Sequence, residues 1–205
     1  MKKLLLTVTF LLAASSLGWA GACGTDSLAN YEAAGFSCSV GSLLFSGFSY
    51  NSSAVGAATA PTAAQVTVAP FYLGGEFGLE FTAGWVSGLG GSDNAVINLT
   101  VSCPGCTIID AALIMGGGAI GTGTAAVTET GPNLATSAPG NLSAHTNLFA
   151  TSLTPTVTIN TTGGNGNGHI SGVFVLYSVP EPASLALLGT ALIGAGLVLR
   201  RRLTQ

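Results

Sequence analysis

Positive charge is almost absent from this chain of 205 residues. All of its Lys and Arg residues lie at the ends, at Lys2, Lys3, Arg200, Arg201 and Arg202, and the eight Asp and Glu residues lie between them. Charged residues make up 6% of the chain, against roughly 25% in a typical soluble protein. A body without cations cannot neutralise phosphate groups, so nucleic-acid binding, phosphoryl transfer and attachment to anionic lipid through a basic patch are not expected.

Helical periodicity is also missing between residues 23 and 178, where apolar and polar residues alternate instead. Ile97, Leu99 and Val101, for example, alternate with Asn98 and Thr100, which is the pattern of a half-buried β-strand. About nine such strands predict a single all-β domain, an antiparallel β-sandwich or jelly-roll-like fold. A β-solenoid is the alternative, although no fixed repeat period supports it. The predicted strands cover residues 42–50, 65–72, 77–82, 97–103, 107–115, 121–129, 148–153, 156–160 and 170–177.

A turn is predicted between the last two of these strands. Residues 163–168 contain two Asn-Gly pairs, Asn165-Gly166 and Asn167-Gly168. Asn-Gly between two β-rich runs is the strongest short signal for a hairpin. The sequence therefore predicts that the strands on either side pair with each other.

The N-terminus has the three parts of a secretory signal peptide. Two lysines precede an apolar run over residues 4–17, and Ala20-Gly21-Ala22 supplies small residues for cleavage. We predict that residues 1–22 are removed on export. One alternative is an uncleaved anchor, for which an apolar run of about 14 residues is short. Another is lipid modification of Cys23, although Ala20 stands where that signal usually has Leu.

The C-terminus has the composition of a transmembrane helix. Residues 183–199 carry no charge and reach about 25 Å as a helix, which is nearly the thickness of a bilayer core. The arginines at 200–202 follow at once and favour the cytoplasmic side, so the body is expected outside the membrane. The alternative of a buried core helix fits poorly, because a helix that is apolar on every face has no polar side for water.

Val179, Pro180, Glu181 and Pro182 stand immediately before this segment. The two prolines favour an extended, accessible strip. The Pro-Glu-Pro sequence, the apolar helix and the terminal Arg cluster together resemble the PEP-CTERM sorting signal of diderm bacteria. The resemblance covers residues 179–205 and implies recognition by exosortase, a membrane enzyme thought to cleave near the motif. It also implies a species that makes exopolysaccharide and biofilm matrix.

A second, looser resemblance concerns residues 108–131, IIDAALIMGGGAIGTGTAAVTETG. This segment is similar to a group of PEP-CTERM ectodomains that have no assigned activity. It implies a domain typical of that group and no particular function.

Four cysteines in an exported chain suggest disulfides. Pairing by nearness joins Cys23 to Cys38 and Cys103 to Cys106, which is one of three possible connectivities. Cys103-Pro104-Gly105-Cys106 also allows a redox site or a metal site. We favour a cross-linked turn, because the residues that follow are β-branched and predict a strand, so no helix dipole is available to stabilise a thiolate.

Catalytic motifs are not recognisable in the body. Residues 116–121 match G-x-G-x-x-G, but the residues after them are poor helix formers and no acid follows at the distance that a ribose requires. Glu76 and Glu80 share one face of a strand at roughly 13 Å, which is too far for a glycosidase pair. No Gly-x-Ser-x-Gly elbow is present. The sequence predicts no enzyme and no cofactor.

Metal ligands are not predicted either. His145 and His169 are isolated in the sequence, and no Asp-rich calcium loop is present. Asp93, Asp110 and Glu129 are interpreted as solvated acids, although acids distant in sequence can converge in space.

Aromatic residues offer candidate glycan contacts, above all Trp85 and Tyr72. Together with Phe71, Tyr50 and Tyr31 they would form a platform for sugar rings if they were exposed in a row. Packing in the core is the expected role of most of them. The Asn-x-Ser/Thr triplets of this chain are interpreted only as polar, Thr-rich sequence.

These observations predict an exported, non-catalytic protein of the cell surface or extracellular matrix. It would be held transiently in the inner membrane by its C-terminal helix, with the body outside, and sorted by exosortase. Association with exopolysaccharide is expected from the resemblance. The alternatives are a carbohydrate-binding module, which requires exposed aromatics, and a secreted hydrolase, which requires two carboxylates within about 9.5 Å in a cleft.

Overall fold

The computed structural model describes residues 20–180, so the predicted span at 183–199 and most of the predicted signal peptide lie outside the described residues. The described part is built almost entirely from β-strands. They are β1 (Asp26–Ser27), β2 (Ser37–Val40), β3 (Leu43–Val55), β4 (Ala58–Thr59), β5 (Thr67–Leu73), β6 (Glu76–Ser87), β7 (Ser92–Ser102), β8 (Ile108–Ile120), β9 (Thr124–Glu129), β10 (Leu134–Ala138), β11 (Ser143–Ala150), β12 (Ser152–Leu153), β13 (Thr156–Thr162) and β14 (Asn167–Ser178).

Helical structure within residues 20–180 is limited to two short elements. These are α1 (Leu28–Tyr31) and a 3-10 turn (Ala63–Gln65). Neither element is long and apolar enough to cross a bilayer.

The strands form two antiparallel sheets of seven strands each. The first sheet has the order β1-β5-β6-β14-β8-β11, and β4 also pairs with β6. The second has the order β10-β9-β13-β7-β3-β2, and β12 also pairs with β7. Their inward side chains form one apolar core, to which Phe81 of β6 and Ile97 of β7 both belong. The prediction of an all-β sandwich is confirmed.

Alternation of side chains explains why these residues form a sandwich. In β7, Ala95, Ile97, Leu99 and Val101 are buried, whereas the residues between them are partly or fully exposed. Because successive side chains of a strand point to opposite faces, one face of the sheet packs inward and the other faces solvent.

Every predicted strand region contains a strand, but the sequence did not indicate β1, β2, β4 or β10. It also predicted a single strand over residues 148–153, where the structure has the end of β11 followed by β12. β10 and most of β11 are rich in Ala, Ser and Thr. They lack the large apolar residues at every second position that mark a half-buried strand.

The predicted hairpin at residues 163–168 is wrong. A turn is present there, but β13 pairs with β7 and β9 in the second sheet, whereas β14 pairs with β6 and β8 in the first. The segment therefore crosses from one sheet to the other. Asn-Gly describes the local turn conformation, and the partners of the flanking strands are decided by the core that each strand must cover.

Candidate functional site

Three ionisable side chains from distant parts of the chain meet at the first sheet. They are Glu76 of β6, Asp110 of β8 and His145 of β11, and one potential ligand atom from each lies within 4.8 Å of the others. We call these residues the EDH cluster. They are 34 and 35 positions apart in sequence, so only the sheet brings them together.

The strand order explains how the three side chains meet. β14 separates β6 from β8, so two strand spacings, about 9.5 Å, lie between the backbones that carry Glu76 and Asp110. Ser178 of β14 lies directly opposite Asp110, and its small side chain leaves room for the carboxylates. On the other side, His145 is paired with Ala112, which places it diagonally from Asp110 and within reach of a long side chain.

The geometry of the EDH cluster centres on His145. Its Nδ1 atom lies 3.7 Å from Glu76 Oε1 and 4.0 Å from Asp110 Oδ2. The Glu76 side chain is 11% exposed, Asp110 24% and His145 55%, so the cluster is buried on the β6 side and open on the β11 side. Burial raises the pKa of Glu76, the neighbouring Asp110 carboxyl raises it further, and His145 lowers it. Two carboxylates this close repel each other unless a cation or a shared proton lies between them.

Two further carboxyl groups lie inside the sandwich. Both oxygens of Asp93 and Oε2 of Glu129 are buried without a hydrogen-bond partner. Burial raises the pKa of Asp93 to about 6. It raises the pKa of Glu129 to about 7, even though the Tyr177 hydroxyl donates a hydrogen bond to this carboxylate and lowers the pKa. The interpretation of both as solvated acids is wrong, because both lie at inward positions of their strands.

A shallow depression of about 410 Å³ lies near α1, lined by residues 31–37 and 46–48. Its carboxylate, Glu32, accepts a hydrogen bond from the backbone N–H of Tyr50. This contact joins α1 to β3 and gives Glu32 a structural role. The EDH cluster is not part of the depression.

The distances between carboxylates of the first sheet can be compared with those that a secreted glycoside hydrolase requires. Glu76 and Glu80 lie on the same face of β6, as the sequence predicted. Glu76 instead approaches Asp110, with ligand oxygens within 4.8 Å of each other, which is closer than the about 5–5.5 Å or 6.5–9.5 Å of glycosidase pairs. The pair lies on an open sheet face and shares its space with His145.

The cysteines are joined as pairing by nearness indicated. Cys23 is linked to Cys38 and Cys103 to Cys106, with Cα–Cα distances of 4.8 and 5.2 Å. The Cys103–Cys106 link closes a turn between β7 and β8, in which the Cys106 N–H donates to the Cys103 carbonyl. A strand follows this turn, so no helix N-terminus is present to activate a thiol.

Trp85 is not a glycan contact, and that prediction is wrong. Its side chain is fully buried, and its Nε1–H donates a 3.1 Å hydrogen bond to the Tyr50 hydroxyl. A large aromatic at an inward position of a central strand is retained by the core. Tyr72 is 59% exposed and packs edge-on against Phe77. Among residues 20–180 the most exposed aromatic is Phe149, at 86%; it lies in β11, four strands away from Tyr72.

The other predicted site residues lie at the end of the body. Val179 packs partly against the core and Pro180 is exposed. Glu181, Pro182 and the arginines at 200–202 lie outside the described residues. The G-x-G-x-x-G match at residues 116–121 is the end of β8, and a turn and β9 follow it instead of a helix.

The EDH cluster is the group that sequence reasoning missed. The sequence placed Glu76 on one strand face with Glu80, but no motif spacing relates Glu76 to Asp110 or His145. The order of the strands was the missing information. His169, the other histidine, lies in β14 next to Gly118 of β8 and is not part of the cluster.

Comparisons with known proteins identify a sorting motif at the C-terminal end of the body. Residues 178–202 match the family model of the PEP-CTERM protein-sorting motif, which confirms the resemblance seen in the sequence. No curated protein matches the chain. The structure of TmCBM61 in complex with beta-1,4-galactotriose is similar at 14% identity, over 62% of this chain and 86% of that one, with a TM-score of 0.26. A similarity of this size carries no argument about the ligand. The sorting motif implies export, exosortase processing and targeting to the cell surface.

Proposed function

We propose that this chain, whose residues 178–202 match the PEP-CTERM protein-sorting motif, is a non-catalytic component of the cell surface or extracellular matrix. In this proposal the signal peptide at 1–22 is removed, and the segment at 183–199 holds the protein in the inner membrane until exosortase acts at or near residues 180–182. The body then remains at the surface or enters the matrix.

The observation that carries the proposal is the position of the sorting motif relative to the fold. The last described strand, β14, ends at Ser178, and the matched motif begins at the same residue. β14 is paired on both sides, with β6 and β8. Cleavage near Pro182 would therefore leave all fourteen strands intact and release a folded body.

A non-catalytic role is supported by the placement of the reactive groups within residues 20–180. The depression near α1 contains Glu32, which is already held by a backbone N–H. The buried carboxyls of Asp93 and Glu129 have no access to solvent. The EDH cluster lies on an open face, where no cleft excludes water from a reacting group.

Association with exopolysaccharide is the finer part of the proposal. The body has no Lys or Arg, so it cannot bind an acidic polysaccharide through ion pairs. Its outward side chains offer hydrogen bonds instead: Asn98, Ser49 and Thr156, for example, form a bonded row across β3, β7 and β13. Such a surface suits a weak, hydrated matrix contact.

A dedicated carbohydrate-binding module is the second candidate. It is favoured only by the exposure of Tyr72 and Phe149. These two residues lie towards opposite edges of the first sheet, in β5 and β11. Four strand spacings, about 19 Å, separate their strands, so the two side chains do not form a row. The buried Trp85 removes the strongest member of the expected platform.

Intact mass and cell fractionation in a host with exosortase test the proposal. The wild-type protein should lose Arg200, Arg201 and Arg202 and appear at the surface or in the medium. Replacing residues 180–182 with alanine should leave the full C-terminus attached and the protein in the inner membrane. Glu80→Gln, on the outer sheet face, is the control and should be processed normally. A mature wild-type form that retains the three arginines contradicts the proposal.

A glycan array with the released protein separates the two candidates. The proposal expects no strong, specific binding to any single glycan. Tight binding that Tyr72→Ala abolishes would favour the carbohydrate-binding module.

A further inference from the structure

We propose that Glu76, Asp110 and His145 form a binding site for one divalent transition-metal ion such as Zn²⁺. The three side chains project from three strands of one rigid sheet, and their ligand atoms already lie within 4.8 Å of one another. This site goes beyond the sorting and matrix role proposed above.

The donor set selects the class of metal. One imidazole nitrogen and two carboxylate oxygens suit borderline ions such as Zn²⁺ and Co²⁺. Ca²⁺ and Mg²⁺ prefer all-oxygen sites with six or more ligands. Three protein ligands would leave a fourth position for water, and the 55% exposure of the His145 side chain provides a path for entry.

The distances fit a small contraction around an ion. Bonds of about 2.0–2.1 Å in a tetrahedral site place neighbouring ligand atoms about 3.3–3.4 Å apart. The two distances from His145 Nδ1 are 3.7 and 4.0 Å, so each shortens by about 0.3–0.7 Å. Small rotations of the side chains achieve this without moving the strands.

Glu76 is the most buried of the three side chains, at 11% exposure. The whole Glu76 residue is only 9% exposed. Among residues 20–180, however, no backbone amide or hydroxyl donates a hydrogen bond to its carboxylate. Buried carboxylates normally have such donors. Its polar neighbours are Asp110, with which it shares a hydrogen bond, and His145, so a metal ion would take the place of the proton between the two carboxyl groups.

The charge distribution of the whole chain strengthens this argument. A carboxylate pair in a protein is usually neutralised by Lys or Arg, but residues 4–199 contain neither. His145 is the one side chain of the cluster that can carry a positive charge, and it does so only when it is protonated. A divalent ion supplies the missing charge from outside the protein.

Titration calorimetry with ZnCl₂ tests the site. The full chain is purified in detergent without a polyhistidine tag and stripped with EDTA. We expect one Zn²⁺ per chain. His145→Ala and Asp110→Asn should each weaken binding at least about tenfold, because even the loss of a residue that only supports a metal ligand costs about 10–100-fold. His169→Ala is the matched control and should leave the affinity unchanged.

Co²⁺ provides a second readout. Its visible absorption reports direct coordination, and the spectrum of the wild-type complex should be lost in His145→Ala. Circular dichroism of the metal-free variants checks that the sandwich is intact, which we expect because His145 is more than half exposed.

The outcomes are distinct. Binding that disappears in both cluster variants and persists in His169→Ala supports the site. Absence of Zn²⁺ and Co²⁺ binding, preference for Ca²⁺, or binding unaffected by His145→Ala overturns it. Processing of the tail is measured separately, so failure of the sorting proposal leaves this result unchanged.

Discussion

The Tyr177 hydroxyl donates a 2.6 Å hydrogen bond to Glu129 Oε1 in the interior of the sandwich. Tyr177 belongs to β14 of the first sheet and Glu129 to β9 of the second, so this bond joins the two sheets. Both side chains are almost completely buried. Burial, together with the Glu129 carboxylate, raises the pKa of Tyr177 well above its ordinary value. The second carboxylate oxygen, Oε2, has no partner, and its desolvation gives the protein a pH-dependent stability.

We predict that the body is more stable at pH 5 than at pH 8. The folded pKa of Glu129 is about 7, against 4.5 for an exposed Glu. As the pH rises from 4.5, the unfolded state loses this proton first, so the free energy of unfolding falls until the folded group also ionises near pH 7. The difference is on the order of 3 kcal/mol for Glu129. Asp93 acts in the same direction between its ordinary value and about pH 6.

Urea unfolding at pH 5 and pH 8 in the presence of EDTA measures this difference. Glu129→Gln should reduce the pH dependence to the part that Asp93 contributes, because the amide keeps an acceptor for Tyr177 and cannot ionise. Glu80→Gln should leave the dependence unchanged. A wild-type protein that is more stable at pH 8 would contradict the assignment.

Trp85→Ala should destabilise the body by about 3–5 kcal/mol, since it empties a large site in the core and leaves the Tyr50 hydroxyl without this donor. The urea midpoint measures the loss. Phe149→Ala removes an aromatic that is 86% exposed, and should change stability by less than about 0.5 kcal/mol. Equal effects of the two substitutions would argue against the described packing of Trp85.

The disulfides should differ in their contribution to stability. Cys23 and Cys38 are 15 positions apart, whereas Cys103 and Cys106 are 3 apart. The chain-entropy model gives about 3 kcal/mol for the longer loop and about 2 for the shorter. Double Cys→Ser variants, unfolded by urea under non-reducing conditions, should show the larger loss for Cys23 and Cys38. The reverse order would mean that the N-terminal segment is held mainly by other contacts.

Gly163→Ala should destabilise the protein by about 1–3 kcal/mol, the usual cost of forcing an extra group into a packed region. A Cβ at Gly163 would overlap the backbone carbonyl of Gly88, because the chain crosses between the sheets against the β6–β7 loop. The Gly163 N–H donates to the Gly91 carbonyl at this point. Gly84→Ala is the control, since a Cβ at Gly84 meets nothing within 4 Å. Thermal unfolding of the two variants distinguishes a steric requirement at Gly163 from a general effect of replacing glycine with alanine.

Local patterns were sufficient for most of the strands. Alternation at Ile97, Leu99 and Val101 marked β7, and the buried positions follow it. The same reasoning failed at Asn165-Gly166, because a turn signal does not state which strands will pair. It also failed at Trp85, because residue type alone does not distinguish an aromatic side chain that packs in the core from one that is exposed to solvent.

The amino-acid sequence alone determined the all-β class and the sorting motif, because alternation and a tripartite tail are properties of neighbouring residues. Only the tertiary structure decided that Glu76, Asp110 and His145 meet, that Glu129 bonds Tyr177 across the sandwich, and that β13 and β14 separate into different sheets. These relationships depend on strand order, which is set by the burial of the whole core and is not encoded in any short segment.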